Sequence, residues 1–167
     1  MSNKDKQKEV RERDNFLRFL RAAGWSVVEE EIESRKPPEP DILYRCNGKI
    51  AAFEMLSVTQ SEFMQPLENA QVIYPGPTTL KDNLRKKLGT NYNSQYPVEL
   101  IIYCHISMAT NDSNLMDMQD VLWNADQIPF QRIWYFGEND RLFLFHKNWW
   151  SEILGPSAVA FLGGEAD

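Results

Sequence analysis

Two carboxylates in this chain have a sequence-based reason to lie against each other. Asp41 begins one β-rich run, Glu54 lies in the next, and Asn47-Gly48 stands between the two runs. This dipeptide favours the two-residue type I′ turn of a β-hairpin, because both central residues of that turn need a positive φ. With Asn47 and Gly48 as the loop residues, the predicted register places Asp41 directly opposite Glu54.

A facing pair of carboxylates predicts a cation between them or a raised pKa on one of them, because like charges opposite each other on a ladder repel. Glu54 also lies in the apolar run 51–56, and a buried glutamate is rare unless it is paired or bound to metal. Carboxylate oxygens suit hard divalent cations such as Mg²⁺ or Mn²⁺. Asp41 and Glu54 are therefore candidate metal ligands. The alternative is that Asp41 is a turn residue after proline and that Glu54 is partly exposed.

The hairpin resembles the PD-(D/E)xK nuclease superfamily. Pro40-Asp41 matches the Pro-Asp at the start of one strand of that motif, and Glu54 matches the acidic residue on the next strand. The resemblance covers roughly residues 10–105, with a helix, a strand, the hairpin, a helix and a further strand in the family's order. It implies a restriction-endonuclease-like core and one or two Mg²⁺ ions that activate water to cleave a phosphodiester. It also implies the backbone carbonyl of Met55 as a third metal ligand and Glu12 as an outer one.

The sequence departs from the family pattern at Leu56, where the family has a lysine. In this chemistry the lysine supplies positive charge near the attacking water and stabilises the charge that develops on the phosphorane, which leucine does not do. A basic residue that has migrated to another element is a known variation in the family. Lys81 and Arg85, one turn apart on the next predicted helix, are the candidates for that role. The alternative is that they form a solvent-exposed basic stripe.

The elements that position these residues follow from the hydrophobic pattern and from turn residues. The pattern predicts one domain, 1–167, of the α/β (or α+β) class, with a mixed sheet of about five or six strands and helices on both faces. The hairpin is apolar on both faces, which favours a central position in the sheet. The predicted helices are 4–23, 78–88, 115–125 and a closing helix at 148–154; strand character is predicted over 25–32, 98–104, 133–136 and 142–145; and 57–77 is predicted to be largely irregular.

Composition limits the class of protein. The 167 residues carry a net charge of −6, contain no long apolar run, and begin with a charged segment unlike a signal peptide, so we expect a cytoplasmic protein without a membrane partner. Basic residues are nevertheless concentrated in two places. Residues 1–24 carry seven basic and four acidic side chains, and 78–90 carry four basic and one acidic. A basic face suited to nucleic acid is compatible with this distribution.

Three functions are compatible with the sequence. The leading one is a Mg²⁺- or Mn²⁺-dependent nuclease acting on DNA before RNA, in which Asp41 and Glu54 hold the metal and Lys81 or Arg85 replaces the missing lysine. A homodimer is compatible with this activity, because one active site cuts one strand. The second is an inactive relative that binds a protein partner and is indifferent to divalent ions. The third is an unrelated α+β domain with an unknown ligand.

Overall fold

The computed structural model of the protein describes residues 3–58, 78–104, 111–137, 140–146 and 149–153. These residues contain three helices and one mixed sheet of seven strands, which confirms the predicted fold class with one or two more strands than expected. The helices are α1 (Asn3–Ala22), α2 (Thr78–Leu88) and α3 (Asn111–Trp123). The strands are β1 (Ile32–Ser34), β2 (Ile42–Cys46), β3 (Lys49–Val58), β4 (Val98–Cys104), β5 (Arg132–Phe136), β6 (Leu142–His146) and β7 (Trp149–Ile153).

The strands lie in the sheet in the order in which they occur in the chain. β3, β4 and β5 are parallel to one another, and the remaining neighbours are antiparallel. The hairpin of β2 and β3 has the predicted register, with Cys46 opposite Lys49. Asn47 and Gly48 have φ values of 50° and 75°, as the predicted turn requires. Because β2 pairs with β1 and β3 pairs with β4, the hairpin is inside the sheet, as predicted.

The two faces of the sheet are covered by different helices. α1 packs on one face, where Phe16, Phe19 and Leu20 are fully buried against the sheet. α2 and α3 pack on the other face through residues such as Leu84 and Met118. Side chains alternate along a strand, so Phe53 and Met55 face α1, whereas Ala52, Glu54 and Leu56 face α2 and α3.

The strand predicted over 25–32 is much shorter than expected. A 3₁₀ turn occupies Glu29–Glu31, and strand structure begins only at Ile32. Arg13 of α1 donates hydrogen bonds to the backbone carbonyls of Glu29, at 2.6 Å, and of Ile32, at 2.8 Å. The N–H of Glu31 donates to the carbonyl of Val28 at 3.1 Å within this turn, and pairing with β2 begins at Ile32, opposite Tyr44.

The closing helix predicted over 148–154 is wrong, because residues 149–153 form β7. This strand pairs with β6 from Trp149, opposite His146, to Ile153, opposite Leu142. The ladder with β6 outweighs a local preference for helix in a segment this short. The helix predicted over 115–125 is present but begins earlier, at Asn111. Of the segment predicted to be irregular, residues 59–77 lie outside the described residues.

Across the described part of the chain, no helix combines the length and the apolar character that crossing a bilayer requires.

Candidate functional site

The structure brings Asp41 and Glu54 together. The last pair of the β2–β3 ladder is Ile42 with Phe53, and one further step places Asp41 opposite Glu54. Both side chains are almost entirely buried, with 8% and 5% of their surface exposed. The two carboxyl groups are close enough for the charge of Asp41 to raise the pKa of Glu54. The backbone N–H of Met55 donates to Oδ2 of Asp41 at 2.9 Å, which holds that carboxylate against β3.

Protonation of Glu54 is sensitive to its surroundings. Burial, and next the charge of Asp41, raise the pKa of Glu54 from 4.5 to about 7, against an opposing effect of Lys87. Near neutral pH, Glu54 therefore exists in both its protonated and its ionised form. The sequence predicted a cation between the two acids or a raised pKa on one of them. The pKa of Glu54 is raised, whereas separate ammonium groups contact the two acids, Lys87 at Glu54 and Lys8 at Asp41.

The backbone of Met55 lies at the same place. Continuing the ladder one step beyond Asp41 places Pro40 opposite Met55, and proline has no N–H to donate to a carbonyl. The N–H and C=O of one residue in an extended strand point to the same edge. Since the N–H of Met55 binds Asp41, its carbonyl also faces the β2 side of β3.

The positive charge at Glu54 comes from Lys87, in the last turn of α2. Its ammonium forms an ion pair with Oε1 of Glu54. Sequence analysis missed this residue, although a signal was present. Lys87 is seven residues after Leu80 and three after Leu84, both buried, so two turns of helix place it close to the face that packs on the sheet.

Lys81 and Arg85 do not reach the carboxylate pair. The ammonium of Lys81 lies 3.2 Å from Asp117 and 3.0 Å from Asp120, both on α3. Arg85 pairs with Asp82 of its own helix at 3.2 Å. The family's lysine position is occupied by Leu56, which is buried in the core between the sheet and the helices α2 and α3.

Two charged residues of α1, Lys8 and Glu12, approach Asp41 from the other face of the sheet. Nζ of Lys8 lies 3.1 Å from Oε1 of Glu12 and 3.2 Å from Oδ1 of Asp41. Burial, and next the charge of Asp41, raise the pKa of Glu12, while Lys8 lowers it. Burial by itself lowers the pKa of Lys8, but the charges of Asp41 and Glu12 outweigh this effect and raise it to about 12. We call Lys8, Glu12, Asp41, Glu54 and Lys87 the charged cluster.

The oxygen atoms at the cluster fit a hard divalent ion. No three His, Cys, Asp or Glu side chains among the described residues are arranged so that together they could hold a metal. Mg²⁺, however, keeps several waters and is usually bound by only one or two protein carboxylates. Asp41, Glu54 and the carbonyl of Met55 provide a donor set of that size and chemistry. The residues present are therefore compatible with the ion that the family resemblance implies.

Comparison with known proteins gives no match to the chain among protein-family models, curated proteins or solved structures. The resemblance to the PD-(D/E)xK nucleases thus stays a prediction from the sequence. The functional assignment depends on the charged cluster and on the elements that position it.

Proposed function

We propose that this protein is a divalent-metal-dependent nuclease whose active-site lysine comes from α2. The contact of Lys87 with Glu54, opposite Asp41, is the observation that carries the proposal. The motif normally supplies two acids and an ammonium from one hairpin. Here Asp41 and Glu54 come from the hairpin, and the ammonium comes from α2. The order α1, β1, β2, β3, α2, β4 supports the same assignment, since it is the order that the resemblance implies.

Each residue has a defined task in this proposal. Asp41, Glu54 and the Met55 carbonyl would hold Mg²⁺ or Mn²⁺, which supplies Lewis acidity and lowers the pKa of a bound water. The ammonium of Lys87 provides positive charge beside Glu54, where negative charge would develop on a phosphate in the transition state. Glu54 must lose its proton before it can act as a ligand. Since its pKa is about 7, metal binding is expected to strengthen as the pH rises through neutrality.

The substrate class follows from charge and from the resemblance. The two segments that carry basic excess, 1–24 and 78–90, include the helices α1 and α2, which contribute Lys8 and Lys87 to the site. A polyanion is therefore a suitable ligand despite the net charge of −6. DNA is proposed before RNA on the family resemblance alone.

Calorimetric titration with Mn²⁺, followed by a cleavage assay on DNA, tests the proposal. Wild type should bind Mn²⁺, and Glu54→Ala should not. Lys87→Met should lose cleavage while it keeps Mn²⁺ binding, because Lys87 is not a metal ligand in this scheme. Lys86→Met, the neighbouring residue with the same change in charge, is the matched control and should keep both properties. Absence of Mn²⁺ binding to wild type would refute the metal mechanism.

A second candidate is a binding or regulatory module with a protein partner. One observation favours it: Lys8 and Lys87 already form ion pairs with the carboxylates, so the cluster is a salt-bridged network in the absence of metal. Buried Leu56 at the lysine position agrees with loss of catalysis. Wild-type protein that is indifferent to Mn²⁺ and leaves DNA uncut would favour this function over the nuclease.

A further inference from the structure

The charged cluster leaves few carboxylate oxygens available to a metal. Oδ2 of Asp41 accepts the N–H of Met55, and Oδ1 of Asp41 is held by Lys8 at 3.2 Å. The same ammonium of Lys8 contacts Glu12 at 3.1 Å and so bridges two acids. A divalent ion that binds Asp41 through Oδ1 must compete with Lys8 for that atom.

Charge balance and side-chain exposure together indicate which cation would leave the cluster when a divalent ion binds. When ionised, the three carboxylates of the cluster carry three negative charges, and the two lysines carry two positive ones. Addition of a divalent ion leaves one positive charge in excess, and departure of one lysine restores neutrality. The side chain of Lys8 is 52% exposed, whereas that of Lys87 is 26% exposed. Water can therefore solvate the ammonium of Lys8 more readily than that of Lys87.

We propose that Lys8 is an exchangeable stand-in for the divalent ion. It neutralises Asp41 and Glu12 when no metal is bound, which prevents repulsion among buried acids, and it releases Oδ1 of Asp41 when the ion binds. Lys87, on the opposite face of the sheet, stays in place. Because the ion belongs to the proposed function, this inference rests on that function, but it concerns binding of the ion and not the cleavage step.

Mn²⁺ titration of three proteins at pH 8 and fixed ionic strength tests the inference. Lys8→Gln removes the competing charge and should bind Mn²⁺ about fivefold more tightly than wild type, as expected for loss of two partly exposed ion pairs. Lys8→Arg keeps the charge and should bind as wild type does. Lys6→Gln makes the same change of charge on the same helix at an exposed residue outside the cluster, and it should change the affinity less than about twofold. Thermal unfolding of each variant verifies that it is folded.

The outcomes separate this inference from the nuclease proposal. Equal affinity of Lys8→Gln and Lys6→Gln, or weaker binding by Lys8→Gln, overturns the stand-in role while the nuclease proposal survives. Tighter binding by Lys8→Gln in a protein that cuts no DNA supports the stand-in role and defeats the nuclease proposal. Absence of Mn²⁺ binding to wild type and to Lys8→Gln alike defeats both.

Discussion

Replacement of Glu54 by glutamine should make the protein more stable at alkaline pH. The pKa of Glu54 is about 7 in the folded protein, above its ordinary value of 4.5, so the folded chain holds this proton more tightly than the unfolded chain does. The stabilisation by this proton is complete below about pH 4.5 and is lost as the pH rises through about 7. Glutamine stays neutral at every pH and, like a protonated carboxyl group, carries a hydrogen-bond donor.

The size of the effect follows from the two pKa values. Each pH unit between 4.5 and 7 corresponds to about 1.4 kcal/mol, which gives about 3 kcal/mol in total. Most of this is lost between pH 5 and pH 8. Because Glu54 is only 5% exposed, solvent screening reduces the effect little. The advantage of Glu54→Gln over wild type should therefore grow by about 2–3 kcal/mol over this range.

Urea unfolding at pH 5, 6, 7 and 8, followed by tryptophan fluorescence, measures this difference. A chelator must be present, since a bound divalent ion would stabilise the ionised carboxylate and reverse the trend. Glu12, whose pKa is also raised by burial, contributes to the pH dependence of both proteins, so its contribution largely cancels in the comparison. Glu30→Gln, which changes an exposed glutamate in the 3₁₀ turn, serves as the matched control.

A stability difference between Glu54→Gln and wild type that does not change with pH would refute the reasoning. So would a variant that is less stable than wild type at pH 8, because it would show that ionised Glu54 stabilises the fold through Lys87 by more than its burial costs. The same pH dependence in Glu30→Gln would attribute the effect to overall charge instead of to the buried acid pair.

Three further predictions concern other parts of the structure. Gly48→Ala should lower the free energy of unfolding in urea by about 1–2 kcal/mol from backbone strain alone, because Gly48 has a φ of 75° and a Cβ there meets no atom within 4 Å; an unchanged midpoint would contradict this. Glu99→Ala should lower the free energy of unfolding by about 2–3 kcal/mol in the same assay, since buried Glu99 accepts a hydrogen bond from the indole N–H of Trp134 at 2.7 Å. A decrease below about 0.5 kcal/mol would mean that this hydrogen bond contributes little to stability. Lys81→Met should leave DNA cleavage within about twofold of wild type, because its ammonium lies on Asp117 of α3; a large loss of cleavage would return Lys81 to the catalytic role that the sequence predicted for it.

The hairpin was predictable from the sequence because its determinants are local. Asn47 and Gly48 fix the turn, the turn fixes the register, and the register alone brings Asp41 to Glu54. Strand β7 was not predictable in the same way, since its structure depends on pairing with β6 and not on the preferences of its own five residues.

The lysines of the charged cluster were harder to predict, because each depends on how a helix is placed on the sheet. The spacing of Lys81 and Arg85 predicted that both lie on one face of α2. It did not predict that Lys81 points toward α3, where it forms ion pairs with Asp117 and Asp120. Lys87 lies seven residues after Leu80 and three after Leu84, so helical periodicity alone places it next to the buried face of α2. Lys8 and Asp41 are 33 positions apart in the sequence. They meet only because α1 packs on the sheet, which local sequence patterns do not predict.

The connection of the sheet also has a consequence for the order of folding. The hairpin that brings Asp41 to Glu54 closes a two-residue loop, whereas pairing of β3 with β4 must close a loop of roughly 40 residues that includes α2. Short loops close early and long ones late, so we expect the two acids to meet while water still surrounds them. Their ammonium partners would then arrive with the docking of α1 and α2. Desolvation of the acid pair would accordingly coincide with the final collapse, and refolding should be slower at pH 8 than at pH 6.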